Sequence, residues 1–173
     1  MCAEPRRLFW WQRLVQRLTA MPWASRWMTN RLHRWDRWTY RVSKGRWTAT
    51  EVLSGLPILF ITTIGATSGQ ERITPLLAIC RDGHFIIIAT NFGSDRHPQW
   101  YFNMKAHPIV DVSYRDQKSK HIVTELEGVA RASAWDHAVC HYPGYRAYEV
   151  RASQRLIPVL KLTPKNPDSS PRP

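Results

Sequence analysis

Between Pro57 and Leu162 the sequence breaks into six short runs rich in β-branched and aromatic residues, each followed by a turn or a helical pattern. Pro57–Thr63 is an apolar run that meets the turn Gly65-Ala-Thr-Ser-Gly69. Arg72–Cys80 forms a second strand, turning at Arg81-Asp-Gly83, and His84–Thr90 a third. Its consecutive Ile86, Ile87 and Ile88 predict a strand buried on both faces. Pro108–Tyr114 alternates Val110, Val112 and Tyr114 with Asp111 and Ser113, the mark of a half-buried strand, and His121–Val129 pairs with it across a polar turn. Leu156–Leu162 is the sixth. Helical patterns are expected over Asp95–Ala106, with Asp95 as the cap, and over Ala132–His141 and Tyr145–Gln154. Six short strands with helices inserted late predict an α+β fold built on an antiparallel barrel or curved sheet.

The chain has 173 residues, of which 43% are hydrophobic and 22% charged, enough for one core and too apolar for global disorder. Leu56–Ile64 is the longest apolar run. It contains two threonines and is too short to cross a membrane. Charge is uneven. Of the net +12, nine charges belong to residues 1–50, which carry ten Arg and one Lys against Glu4 and Asp36. Seven of the nine tryptophans lie there as well.

Leu8, Trp11, Val15 and Leu18 share one helical face, and after Pro22 a second helix is expected from about Trp23 to Val42. Its Leu32, Trp35, Trp38 and Val42 form an apolar stripe flanked by Arg34, Arg37 and Arg41. Tryptophan beside arginine suits an anionic membrane surface, and the stripe suits packing on the main domain equally well. Nucleic acid is not an expected partner, because the basic residues flank a tryptophan stripe and no recognition motif is present. The expected organisation is a basic Trp-rich helical arm over 1–50, a barrel domain over 51–163 and a disordered proline-rich tail over 164–173.

Cys2, Cys80 and Cys140 are odd in number and widely spaced, so a disulfide framework is not expected and a reducing compartment is. No secretory signal pattern is read at the N-terminus. The chain has neither G-x-S-x-G nor a P-loop. His137-Ala-Val-Cys-His141 is the one metal-like cluster. At most two of its ligands share a helical face, so no metal site is assigned. Two stretches read as site loops or as ordinary turns. Gly65–Leu76 offers small residues with Ser68, Arg72 and Thr74, and Ala89–Pro98 runs from a strand end to a helix N-terminus. Tyr142, Tyr145 and Tyr148 recur every three residues around Pro143-Gly144, a spacing that suits either a pocket wall or core packing.

Three segments, ITTIGATSGQERITPLL (61–77), ATNFGSDRHPQWYFNM (89–104) and YPGYRAYEVRASQRLIPV (142–159), resemble in order and spacing the deazaflavin-dependent nitroreductase family of actinobacteria. The likeness spans about residues 31–163. It implies a split β-barrel like that of the flavin-binding pyridoxamine-phosphate-oxidase relatives. It also implies hydride transfer from reduced coenzyme F420 to a quinone or nitroaromatic acceptor, in a cytoplasmic protein peripheral to the inner face of the cell membrane. Membrane contact would be made by residues 8–42. By position, the resemblance assigns Ser68, Arg72, Thr74, Pro75 and Leu76 to the cofactor's phosphate side and ring edge. Thr90, Asn91, Gly93, Trp100 and Asn103 fall at the cofactor channel. Tyr142, Tyr145 and Tyr148 fall at the substrate pocket, with Tyr145 as proton donor.

One departure bears on the cofactor. The family's turn usually reads Gly-Arg-Lys-Ser-Gly, and here Ala66 and Thr67 stand in place of both basic residues. Arg96, Arg72 and Arg81 are the candidate replacements. The departure also keeps a barrel binding FMN or heme among the readings, beside a non-enzymatic membrane-binding protein. The acceptor and the oligomeric state are not read from the sequence.

Overall fold

The computed structural model describes residues 55–165 apart from Asp116. The basic arm and nearly all of the tail therefore lie outside the described residues. The described chain runs β1 (Ile58–Ile64), β2 (Glu71–Arg81), β3 (His84–Ile88), a 3-10 turn (Asn91–Gly93), α1 (Gln99–Ala106), β4 (Ile109–Tyr114), β5 (Gln117–Glu125), α2 (Gly128–His141), α3 (Gly144–Arg151) and β6 (Val159–Pro164). The six strands close into an antiparallel barrel in the order β1-β2-β3-β6-β5-β4. This is the split β-barrel expected from the sequence.

The period of two along each strand divides the apolar residues between two cores. Leu59, Ile61, Ile87, Val110, Val112 and Leu162 point inward and fill the barrel, which α1 closes at one end with Tyr101 and Met104. Ile79, Ile86, Ile88 and Val159 point outward and are covered by Trp135 of α2 and by Tyr145 and Tyr148 of α3. The three consecutive isoleucines thus serve both layers, with Ile87 inside the barrel and its neighbours under the helices.

Several boundaries differ from the sequence expectation: β3 ends at Ile88, α2 begins at Gly128 and α3 ends at Arg151. The helix over 95–106 starts only at Gln99, with Pro98 at its cap in an extended conformation, so Asp95 is not the cap. Proline disfavours a helical conformation at the residue before it, which removes His97 and what precedes it from the helix. Strand β5 begins at Gln117 and ends at Glu125, pairing Tyr114 with Gln117. Its first four residues are exposed and polar and have no apolar alternation to mark them. The last strand begins at Val159, after Pro158, and the preceding Leu156 is exposed.

Candidate functional site

A cleft of about 1120 Å³ opens where the β1–β2 turn, the start of α1 and the outer wall of the barrel meet. Phe60 and Thr62 of β1, Ile73 and Thr74 of β2, Ser113 of β4 and Lys118 of β5 supply the wall. Phe60 pairs with Ser113 and Ser113 with Lys118, so these three side chains stand in one row on the strand face opposite the barrel core. Residues 65–68 form the rim, with Glu71 and Arg72 beside them, and Gln99, Trp100 and Asn103 of α1 close the far side.

Asn103 organises the rim. It is buried, and its Oδ1 accepts the Ala66 amide at 3.1 Å and Gln99 Nε2 at 3.4 Å. Its Nδ2 donates to Thr63 Oγ1 at 3.2 Å, and the Thr63 hydroxyl donates to the Arg72 carbonyl at 3.4 Å. Helix, turn and strand are therefore joined through one carboxamide. The turn also holds itself. Gly65 donates to the Gln70 carbonyl and Gly69 to the Gly65 carbonyl, while Gly69 adopts the left-handed φ of +65° that glycine allows. A side chain at Gly65 would sit 2.5 Å from Ser68 Oγ. Ser68 Oγ accepts the Gln70 amide, which leaves its proton to offer to the cleft. Arg72 gives Nη2 to Gln70 Oε1 and keeps its other donors exposed.

Of the residues that the sequence assigns to the cofactor, Ser68, Arg72, Thr74, Trp100 and Asn103 line this cleft. Pro75 and Leu76 follow along β2, where Leu76 packs against the barrel interior. Thr90, Asn91 and Gly93 sit on the loop leading to α1, away from the lining. There Asn91, Phe92 and Gly93 all take positive φ, at 47°, 55° and 80°. Arg155 holds this strained loop. Its Nε donates to the Ser94 carbonyl at 2.8 Å, its Nη2 to the Thr90 carbonyl at 2.6 Å and its Nη1 to the Ala89 carbonyl at 3.3 Å. Nη1 also stands 3.2 Å from His97 Nδ1, and burial and the neighbouring guanidinium together hold the His97 pKa below its usual range.

Tyr142, Tyr145 and Tyr148 do come together, with ring centroids 5.0–6.2 Å apart. They are 7%, 5% and 4% exposed and belong to the helix-covered core rather than to the lining of the cleft. The Tyr142 and Tyr148 hydroxyls are hydrogen-bonded at 3.2 Å. Burial is the main cause that pushes the Tyr145 and Tyr148 pKa values far up, so both keep their protons. His137 and His141 lie against each other on α2, but each ring also faces a backbone carbonyl, of Cys80 and of His137 respectively. Among the described residues no three His, Cys, Asp or Glu side chains converge.

Sequence reasoning missed Phe60, Thr62, Ser113, Gln99 and Lys118. Only the strand register unites the first three with Lys118, and Gln99 is visible only once Pro98 is known to start the helix. Of the three arginines considered as replacement cations, Arg72 alone lines the cleft; Arg81 is engaged with Asp82 and Ser133.

Residues 32–164 match the family described as F420H(2)-dependent quinone reductase. The chain belongs to that family. It is 35% identical over 92 residues to an F420H(2)-dependent quinone reductase of Mycobacterium tuberculosis (strain H37Rv), a stretch covering 53% of this chain and 60% of that protein's length. A solved F420-H2 dependent reductase is similar at 40% identity and a TM-score of 0.57, covering 62% of this chain and 94% of that one. A second solved structure, described as a domain-swapped dimer, is similar at 37% identity and a TM-score of 0.58, covering 73% and 95%.

Proposed function

We propose that this protein is an oxidoreductase that transfers a hydride from reduced coenzyme F420 to a quinone or nitroaromatic acceptor. The observation that carries this reading is the cleft built around Asn103, which lies in the segment matched to the family and has the chemistry the cofactor needs. Trp100 offers flat apolar surface to a ring system, with the buried Phe60 in the wall, and Ser68, Thr62, Arg72 and Lys118 offer donors to an anionic tail. A volume of about 1120 Å³ suits a cofactor larger than a single nucleotide-sized ligand. When bound, the reduced deazaflavin supplies a hydride at its C5.

The work left to the protein is alignment. Trp100 and Thr74 flank the ring, and Ser68, Arg72 and the fixed 65–69 turn hold the phosphate side. Pro75 and Leu76 shape the ring edge, and Thr90, Asn91 and Gly93 shape the approach to α1. The acceptor side is assigned to Tyr142, Tyr145 and Tyr148, with Tyr145 the proton donor. In support, the three rings touch, and burial keeps the Tyr145 and Tyr148 phenols protonated. Since Tyr145 is buried, acceptor entry requires the packing around α3 to open.

The arm over residues 8–42 is proposed to hold the protein at an anionic membrane surface on the cytoplasmic side, ahead of the barrel over 51–163. This rests on its tryptophan and arginine stripes. No helix among the described residues is long and apolar enough to cross a membrane.

The test is turnover. Purified protein mixed with reduced F420 and menadione should regenerate oxidised F420, read by its absorbance and fluorescence. Tight binding of reduced F420 with no oxidation of it by any quinone or nitroaromatic would overturn the assignment.

A further inference from the structure

We propose that Lys118 is the residue that recognises the anionic tail of the cofactor, setting the preference of this cleft for a polyanionic deazaflavin over a singly phosphorylated flavin. The role rests on the deazaflavin reading above. Among the described residues three charged side chains line the cleft: Arg72, Lys118 and Glu71. Arg72 and Glu71 are neighbours on β2 with opposite charges, so the net positive charge of this described lining comes from Lys118. A polyanion entering a cleft without that charge would meet no net attraction.

The strand register explains why this lysine is available. Lys118 and Lys120 alternate onto the same outer face of β5. Lys120 stands opposite Asp111 and pairs with it at 3.5 Å. Lys118 stands opposite Ser113, which is neutral, and joins none of the ion pairs among the described residues. Two lysines on one strand therefore differ in what faces them. One is neutralised across the sheet, and the other is left beside Ser113 at the cleft wall. The turn beside the cleft carries Ala66 and Thr67 and contributes no side-chain charge. Across the β2-β1-β4-β5 wall, the β2 side of the cleft thus carries Arg72 beside Glu71, and the β5 side carries Lys118 with no acidic neighbour in the described lining.

The test measures affinity, not turnover. Oxidised F420 and its tail-less deazaflavin chromophore are each titrated by fluorescence into the full chain, into Lys118→Gln and into Lys120→Gln, at low and high salt. Lys118→Gln should bind F420 roughly three- to tenfold more weakly. Its affinity for the tail-less chromophore should be unchanged, and the salt dependence of F420 binding should flatten. Lys120→Gln should behave as wild type. Equal F420 affinity in Lys118→Gln and wild type would overturn the proposal and leave the cofactor reading standing. So would an equal loss in both lysine variants, or an equal loss for both ligands. Wild-type protein that binds neither ligand would overturn the cofactor reading, and this proposal with it.

Discussion

The side-chain oxygen of Asn103 lies 3.1 Å from the backbone nitrogen of Ala66, so helix α1 and the β1–β2 turn share a buried hydrogen bond at the rim of the cleft. The same carboxamide donates to Thr63, so it joins helix, turn and strand in this corner through both of its polar ends. Replacing Asn103 with Ala leaves the Ala66 amide without its partner and removes one of the two bonds of the Thr63 hydroxyl. The expected cost is about 2–3 kcal/mol of stability, read from the urea midpoint. Thr63→Val removes one link of the chain and should cost about 1 kcal/mol. Both variants should weaken F420 binding, Asn103→Ala the more. A loss of binding at unchanged stability would mean that Asn103 touches ligand instead of shaping the rim.

Arg155 ties down a loop that the backbone would not adopt unaided. Three consecutive residues with positive φ are costly, and its guanidinium binds three carbonyls that flank them, those of Ala89, Thr90 and Ser94. Arg155→Met should cost about 2 kcal/mol and raise hydrogen exchange across 89–97 before the barrel strands respond. Arg155→Lys should recover only part of this, because a single ammonium cannot span carbonyls on both sides of the loop.

The sequence made the barrel legible because its strands are short, end in recognisable turns and carry a two-residue alternation. Residues 86–88 show the value of a run without alternation, since both faces of that strand are covered. The cleft was only half legible. Ser68, Arg72 and Thr74 stood out through a local cluster of small and polar residues, and Trp100 and Asn103 through the likeness of a longer segment. Lys118 and Ser113 carry no local signal, since an exposed lysine on a polar strand looks like any solvated edge and a half-buried serine looks like any polar position of an alternating strand. Cross-strand pairing places them at the cleft, and one sequence does not encode register in any single residue. The loop at 91–93 was unreadable for a different reason. Asn-Phe-Gly suggests a turn, but the carbonyls on both sides of it are held by Arg155, far along the chain.

Gly93 faces both constraints at once. Its φ is +80°, and a Cβ there would lie 2.8 Å from the Arg151 Cβ and 3.0 Å from the Tyr148 carbonyl oxygen. Neither neighbour is the free end of a flexible chain. Gly93→Ala should therefore lose about 3 kcal/mol or more, with α3 displaced from the loop. Gly83, which also has positive φ but meets nothing within 4 Å, is the control. Gly83→Ala should cost only about 1 kcal/mol, the price of the backbone conformation alone. Equal losses at the two sites, measured by thermal unfolding, would show that packing around Gly93 is slack.

Acid should loosen the barrel through His121. Its ring is buried, and desolvation lowers its pKa from the ordinary 6.5 despite the opposing hydrogen bond to the Ser119 carbonyl. A histidine buried neutral takes up its proton more readily in the unfolded chain. Its contribution is thus present above about pH 6.5 and is lost as pH falls through that value toward the depressed folded pKa. Urea midpoints should decline from pH 7 to pH 5, and His121→Gln should flatten that slope. His97 titrates in the same direction, so a residual slope should vanish in the His97→Gln/His121→Gln double variant.

The tyrosine cluster makes the opposite demand at the other end of the pH scale. Tyr145 and Tyr148 are held protonated mainly by burial, with folded pKa values raised well above the ordinary 10.0. Below pH 10.0 they are neutral whether the chain is folded or not, and stability is unaffected. Above it the unfolded chain releases these protons while the folded chain does not, so stability should fall steadily with rising pH. Tyr145→Phe should reduce that alkaline slope and change the neutral-pH midpoint little, since the Tyr145 ring packing is retained. Tyr148→Phe also breaks the 3.2 Å bond to Tyr142 and should cost about 1 kcal/mol at neutral pH. The two variants separate structure from chemistry. If Tyr145 donates the proton to the acceptor, Tyr145→Phe should lower kcat with quinone at least tenfold and leave F420 affinity intact. A fully active Tyr145→Phe enzyme that still lost its alkaline slope would confine this tyrosine to the core.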